Sequence, residues 1–315
     1  MQFRTEISIQ KENHLIDYDS DIILLGSCFA ENIGDKLSYH KFNSLVNPYG
    51  ILFHPIAIEK AITQSINQIK YTKEDLYFFN ELWSSFNHHS KFSSINSENI
   101  LSKINKGIAN FNLRLRSASH LIITLGTAWV YRFIEKDKIV ANCHKIPQKK
   151  FTKELLSIDD ISESLEAIIT LIKSVNKNIS VILTLSPVRH LKDGFIENSL
   201  SKAHLLSAIH EVINIKEKIH YFPSYEIMID ELRDYRFYDE DMLHPNSMAI
   251  KYIWDKFRNS WMSEKTVKLS NKVENLQQSL AHRPFHPESK QHQAFLKSIK
   301  DQISSLNKQY PNINF

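Results

Sequence analysis

Glycine is scarce: six residues in 315. No Gly-rich loop exists to cradle a phosphate, so dinucleotide binding is not expected. Cysteine is scarcer still. Cys28 and Cys143 make no disulfide framework, and a reducing compartment is the default for such a chain. An excess of one charge is also missing. The 39 basic residues meet 35 acidic ones, spread along the chain, for a formal charge of +4. No basic block is interleaved with aromatics, so no nucleic-acid partner is expected. No uninterrupted apolar run approaches transmembrane length, and no membrane partner is expected. The opening stretch MQFRTEISIQKENHL has no apolar core and no small-residue cleavage site. The expectation is a soluble, cytoplasmic protein of unknown oligomeric state. No repeat, low-complexity tract or Gly/Ser linker divides it, so a single domain over 1–315 is expected.

The chain does have five short runs that read as strands. They are Asp21–Leu25, Phe42–Val46, His120–Leu125, Ile179–Leu185 and Ile219–Phe222. Most are near-continuous in leucine and β-branched residues, as in strands covered on both faces. Helical patterns separate them, at 29–40, 56–70, 97–116, 157–176 and 199–215. This alternation predicts an α/β fold, a doubly wound parallel sheet. Residues 71–118 form a long excursion after the second strand, with no strand pattern of its own. Residues 262–315 form a polar, helix-leaning extension.

Ligands of open α/β sheets bind beyond the carboxyl ends of the strands. Here those ends carry Gly26-Ser27-Cys28, Asn47-Pro48-Tyr49-Gly50, Gly126-Thr127 and Ser186-Pro187-Val188-Arg189. Beyond the fifth strand lies Asp239-Glu240-Asp241-Met242-Leu243-His244. Ser27 sits where strand meets helix, and it reads either as a helix cap or as a nucleophile. His244 has the chemistry of the base that would activate it, and Asp241 that of the carboxylate orienting the imidazole. Backbone N–H groups near Ser27 and Gly50 would hold the oxyanion. Cys28 is the rival nucleophile, since thiolates sharpen at helix N-termini, although a small core residue is the commoner role for it. Zinc-type Cys-x-x-Cys spacing is absent, so no metal is expected. Asn142 and His144 are candidates to border a pocket, His88 and His89 to line a substrate cleft, and Arg189 to bind an anionic group.

Seven segments then carry a resemblance. GSCFA, NPYGILFHP, ITLGTAWVY, NCHKIPQKKF, LTLSPVRH, YFPSYEIMIDELRDYRFYDEDMLHPN and HRPFHPES, spread from about residue 20 to residue 290, resemble the GSCFA family. That family is similar to the SGNH/GDSL esterases and lipases. The resemblance implies a flavodoxin-like three-layer sandwich with a helical insertion and a C-terminal extension. It implies Ser27 as nucleophile, with Asp241 and His244 completing a triad, and Gly50 as the oxyanion glycine. There is one departure. The wider superfamily places an asparagine two residues after the glycine of its third block, and here that place is Ala128. Thr127, Asn142 and His144 are the candidates to replace it. The implied activity is hydrolysis of an ester of a small molecule or carbohydrate, with no cofactor. Acyl transfer through the same acyl-enzyme, or ligand binding without catalysis, is the alternative.

Overall fold

The computed structural model describes residues 5–213 and 218–315. The last residues of the helix expected at 199–215 lie outside that range.

The main-chain order is β1 (Asp21–Gly26), α1 (Cys28–Tyr39), β2 (Asn43–Val46), α2 (Pro55–Ile66), β3 (Tyr77–Phe79), β4 (Leu82–Ser84) and α3 (Ser97–Ser117). It continues with β5 (His120–Leu125), β6 (Trp129–Phe133), β7 (Lys138–Val140), β8 (Phe151–Leu155), α4 (Ile158–Val175), β9 (Ser180–Leu185) and α5 (Phe195–Ile213). Then come β10 (Ile219–Phe222), the single turn α6 (Ser224–Glu226), α7 (Ser247–Trp261), α8 (Glu264–Ala281) and α9 (Lys290–Gln309).

Five strands form one sheet in the order β10-β9-β5-β1-β2. Every neighbouring pair is parallel. Successive strand residues point to opposite faces, and here both faces are apolar. Ile23, Leu25, Leu121, Ile123, Val181 and Leu183 pack against α2, α3, α4 and α5. Ile22, Leu24, Ile122 and Ile182 pack instead against α1, α7, α8 and α9. The result is the expected doubly wound three-layer sandwich. The chain winds outward in one direction from β1 to β2 and in the other from β5 to β10. The switch point lies between β1 and β5, where such sheets open a crevice.

The expected strandless excursion contains a hairpin, β3–β4. Its turn residues Asn80 and Glu81 have φ of 47° and 61°. Positive φ at both positions matches strand twist and closes a two-residue hairpin. The second half of the excursion is α3, which sends Ile100, Ile104, Ile108, Phe111 and Leu115 into the main core. A second departure is the antiparallel sheet β7-β6-β8, between β5 and α4. Its strands have three to five residues, too short to show a period in sequence. The C-terminal extension packs Val273, Leu276, Ile299 and Leu306 into the core shared by α1 and α7. The HRPFHPES motif is the link between α8 and α9, with Phe285 fully exposed.

Three core histidines make the fold acid-sensitive. His54, His88 and His120 are each under 5% exposed. Burial pushes them down to about 4, 3 and 4 respectively. Their folded pKa values lie below the unfolded value of 6.5, so the unfolded chain takes up more protons as pH falls. Their stability contribution is therefore present above pH 6.5 and is lost on acidification. The slope can reach about 4 kcal/mol per pH unit if all three act in full. The thermal midpoint should fall steeply from pH 6.5 to 5. A flat midpoint over that window would contradict the buried-neutral assignment.

Candidate active site

The site starts at a glycine. Gly26 ends β1 with φ +132°, and a Cβ there would fall 2.1 Å from Thr124 O of β5. Only glycine lets the two strands come so close. The Gly26 N–H donates to Asn47 Oδ1 (2.9 Å), and its carbonyl accepts from Leu52 N (3.0 Å). These bonds fasten the Gly50 loop to the end of β1. Ser27 follows, fully buried. Its Oγ accepts from Phe29 N at 3.3 Å, so the cap role is real. The bond is long, and it leaves the hydroxyl proton free to be donated elsewhere.

His244 and Asp241 lie together. The Asp241 carboxylate accepts from Leu243 N (2.8 Å) and His244 N (3.0 Å). It also pairs with His244 Nδ1 at 2.6 Å. The two backbone bonds, and then the imidazole, hold the Asp241 carboxyl down at about 2. An ionised carboxylate only accepts, so the imidazole proton sits on Nδ1 and the Nε2 lone pair is left to take a proton. The loop is braced at both ends of the motif. Arg189 N donates to Leu243 O (3.1 Å), and Asp239 N donates to His244 O (2.8 Å). Asn246 caps α7 through Met248 N and Ala249 N. Among the described residues, no hydrogen bond joins Ser27 Oγ to His244. Such contacts commonly tighten only when substrate binds.

Two further residues belong to this rim, and the sequence reading missed them. Lys202 of α5 is 2% exposed. Its ammonium donates to Gly126 O (2.9 Å) and Ser186 O (2.7 Å), binding the ends of β5 and β9 together. Burial brings it down to about 7, while the nearby Cys28 acts to raise it. His190 follows Arg189. Burial first, then Lys202 and His244, push it to about 3, so it is a neutral imidazole. Its Nε2 is buried and has no partner among the described residues. Burial raises the Cys28 thiol, with Glu31 adding to the effect. That is the opposite of what a thiolate nucleophile needs.

The other expected residues divide. The Gly50 loop lies on the Ser27 rim, and Gly50 has φ +75°. The N–H groups of Ser27 and Gly50 are both engaged, by Thr124 O (3.0 Å) and Asn47 O (2.7 Å). Thr127 Oγ1 accepts from Trp129 N (3.0 Å) and pairs with Ser201 Oγ. His89 lies against Gly50, where an added Cβ would fall 2.3 Å from its own. His88 does not line the cleft. It is stacked on Tyr49 at 4.6 Å, edge-on to Tyr71, in the core. A cleft of about 570 Å³ opens beside β5, lined by Phe53, Thr127, Trp129, Tyr131, Asn142 and His144, among others. His144 Nε2 donates to Ser85 O (2.7 Å), and its Nδ1 is buried without a partner among the described residues. Ala141 and Asn142 donate to Phe86 O, so the insertion backs this wall rather than facing it. Arg189 lies in a second cleft of about 430 Å³ with Tyr235, Tyr238 and Met242. Among the described residues no three His, Cys, Asp or Glu side chains gather as a metal site would need. No described helix is long and apolar enough to cross a membrane.

The GSCFA family model matches residues 21–257, three quarters of the chain. The chain belongs to the GSCFA family. The C-terminal domain of GSCFA domain proteins matches a second stretch, 273–315, which takes in α9 and the second half of α8 of this GSCFA protein. No curated protein matches it. Among solved structures, it is similar to a carbohydrate esterase of family 3 from Talaromyces cellulolyticus. That likeness has 8% identity and a TM-score of 0.35, covering 80% of this chain and 99% of that one. An acetyl xylan esterase from the rumen bacterium Butyrivibrio proteoclasticus is 11% identical, with a TM-score of 0.38. The coverage is 78% of this chain and 65% of that one.

Proposed function

We propose that this GSCFA protein is a serine hydrolase of the SGNH type that removes an acyl group from an ester. The observation that carries this is the His244–Asp241 pair, 2.6 Å apart, on a loop bonded through Arg189 to the end of β9. Ser27 closes β1 at the carboxyl ends of the same sheet.

Ser27 Oγ attacks the ester carbonyl while its proton passes to His244 Nε2. Asp241 holds the imidazole in the required tautomer and stabilises the imidazolium that forms. His244 then protonates the departing alcohol as the C–O bond breaks, leaving an acyl-serine. Water, deprotonated by His244, releases the acid and restores Ser27. The oxyanion would draw on N–H groups near Ser27 and Gly50, in competition with the carbonyls that now hold them. The cleft of about 570 Å³ beside the end of β5 has aromatic and hydrogen-bonding walls that suit an acylated sugar. Ser27, Asp241 and His244 do not line it, so a small ester such as an acetyl ester bound there would have to extend past Thr127 to reach Ser27.

The test is a substrate panel, from acetyl to long-chain nitrophenyl esters and acetylated sugars. Turnover of short acyl esters is expected, with loss of rate as the chain lengthens. Acyl transfer to a sugar hydroxyl, with no free acid formed, would replace the hydrolase reading by the transferase one. No turnover of any ester would leave a binding protein.

A further inference from the structure

An oxyanion needs free donors, and at this rim the two expected backbone donors are already bonded. Two buried side-chain nitrogens at this rim have no partner among the described residues: Asn47 Nδ2, on the loop bonded to Gly26, and His190 Nε2, which rests against the turn at Gly126. His190 Nε2 lies 3.3 Å from where a Cβ on Gly126 would stand. Gly126 follows β5 as Ser27 follows the neighbouring β1: Gly26 is level with Thr124 in the β1–β5 register, and Ser27 N donates to Thr124 O (3.0 Å). Adjacent strands are about 4.8 Å apart. His190 is fixed from three sides. Its N–H donates to Asn198 Oδ1 (2.9 Å), its ring meets Phe53 edge-on at 5.5 Å, and Arg189 before it is bonded to the His244 loop.

We propose that His190 is the third oxyanion donor, with its Nε2–H reaching the carbonyl oxygen of the ester as that oxygen becomes negative. It stands in for the amide lost at Ala128. This rests on the serine-hydrolase reading above. A neutral imidazole is the species required, since it donates without itself becoming charged, and burial first, with Lys202 and His244 adding, keeps His190 neutral. Lys202 also holds Gly126 O, and so positions the turn against which His190 rests.

The experiment compares wild type, Ser27→Ala, His190→Leu and His190→Gln in nitrophenyl acetate hydrolysis. His190→Leu should lose about 10²–10³ in kcat, the usual scale for one oxyanion donor, with KM little changed. His190→Gln keeps an N–H donor of similar reach and should recover part of that loss. Wild-type kcat in His190→Leu, equal loss in both His190 variants, or a change in KM alone would overturn the proposal. If wild type hydrolyses the ester and Ser27→Ala does not, such a result removes the His190 role and leaves the hydrolase. If wild type neither turns over nor reacts at Ser27, both readings fall. Gly126→Ala gives a check that spares His190. Its Cβ would press on Phe53 and on His190 Nε2 at 3.1–3.3 Å, and kcat should fall. An unchanged kcat there would also count against the proposal.

Discussion

Ser27→Ala should lower ester turnover by at least about a thousandfold, the scale on which triads lose a member. The protein should remain folded. What the substitution removes structurally is the cap on α1, worth about 1 kcal/mol for a good cap, and this one is a long 3.3 Å bond. The thermal midpoint should therefore shift by a few degrees at most. Cys28→Ser should stay close to wild type, because burial keeps that thiol protonated. The opposite pattern, an active Ser27→Ala and a dead Cys28→Ser, would move the nucleophile by one residue.

Asp241→Asn should cost about 10²–10⁴ in kcat, the range expected when an imidazole loses the carboxylate that fixes its tautomer. Asparagine can still accept from Leu243 N and His244 N through its oxygen, so the loop should keep its shape. The loss is then chemical rather than structural. Asp239→Asn and Glu240→Gln should remain near wild type, since neither carboxylate is bonded to the imidazole. In wild type, kcat/KM should fall on acidification, because the base acts only when unprotonated, while Asp241, held at about 2, stays ionised well into the acid range. A crippled Asp239 or Glu240 variant beside an active Asp241→Asn would show the triad to be misassigned within the acidic run.

The parallel sheet was legible because its strands are buried on both faces and so read as unbroken apolar runs. Ile179–Leu185 and His120–Leu125 needed nothing more. The sheet of β6, β7 and β8 was not legible. Three residues of Lys138–Val140 cannot display a period, and the pairing depends on a turn at Asp137 with φ 46°. Helix α2 was read four residues too long. The chain leaves the helix at Gln68, whose φ of 50° is not written in the residue type. At the site, the position of Ser27 at the end of β1 and the pairing of Asp241 with His244 follow from strand ends and short spacing, while their catalytic roles belong to the proposal. His88 was misplaced because two adjacent histidines look alike in sequence. The fold points His88 into the core and leaves His89 against Gly50. Lys202 left a trace that went unread. It lies three and seven residues before Leu205 and Ile209, on the buried stripe of α5. A lysine on such a stripe must find partners inside the fold, and its partners are the ends of β5 and β9. His190 left no such trace, since its importance is the missing partner of one ring nitrogen.

The central claim is that Ser27 is an activated nucleophile. A fluorophosphonate reacts only with a hydroxyl whose proton a neighbouring base can take. Wild-type protein labelled with it and then mapped by peptide mass spectrometry should carry one phosphonyl adduct on Ser27. The adduct should disappear in His244→Ala. An adduct on Cys28, or an unlabelled protein that is fully folded, would contradict the account.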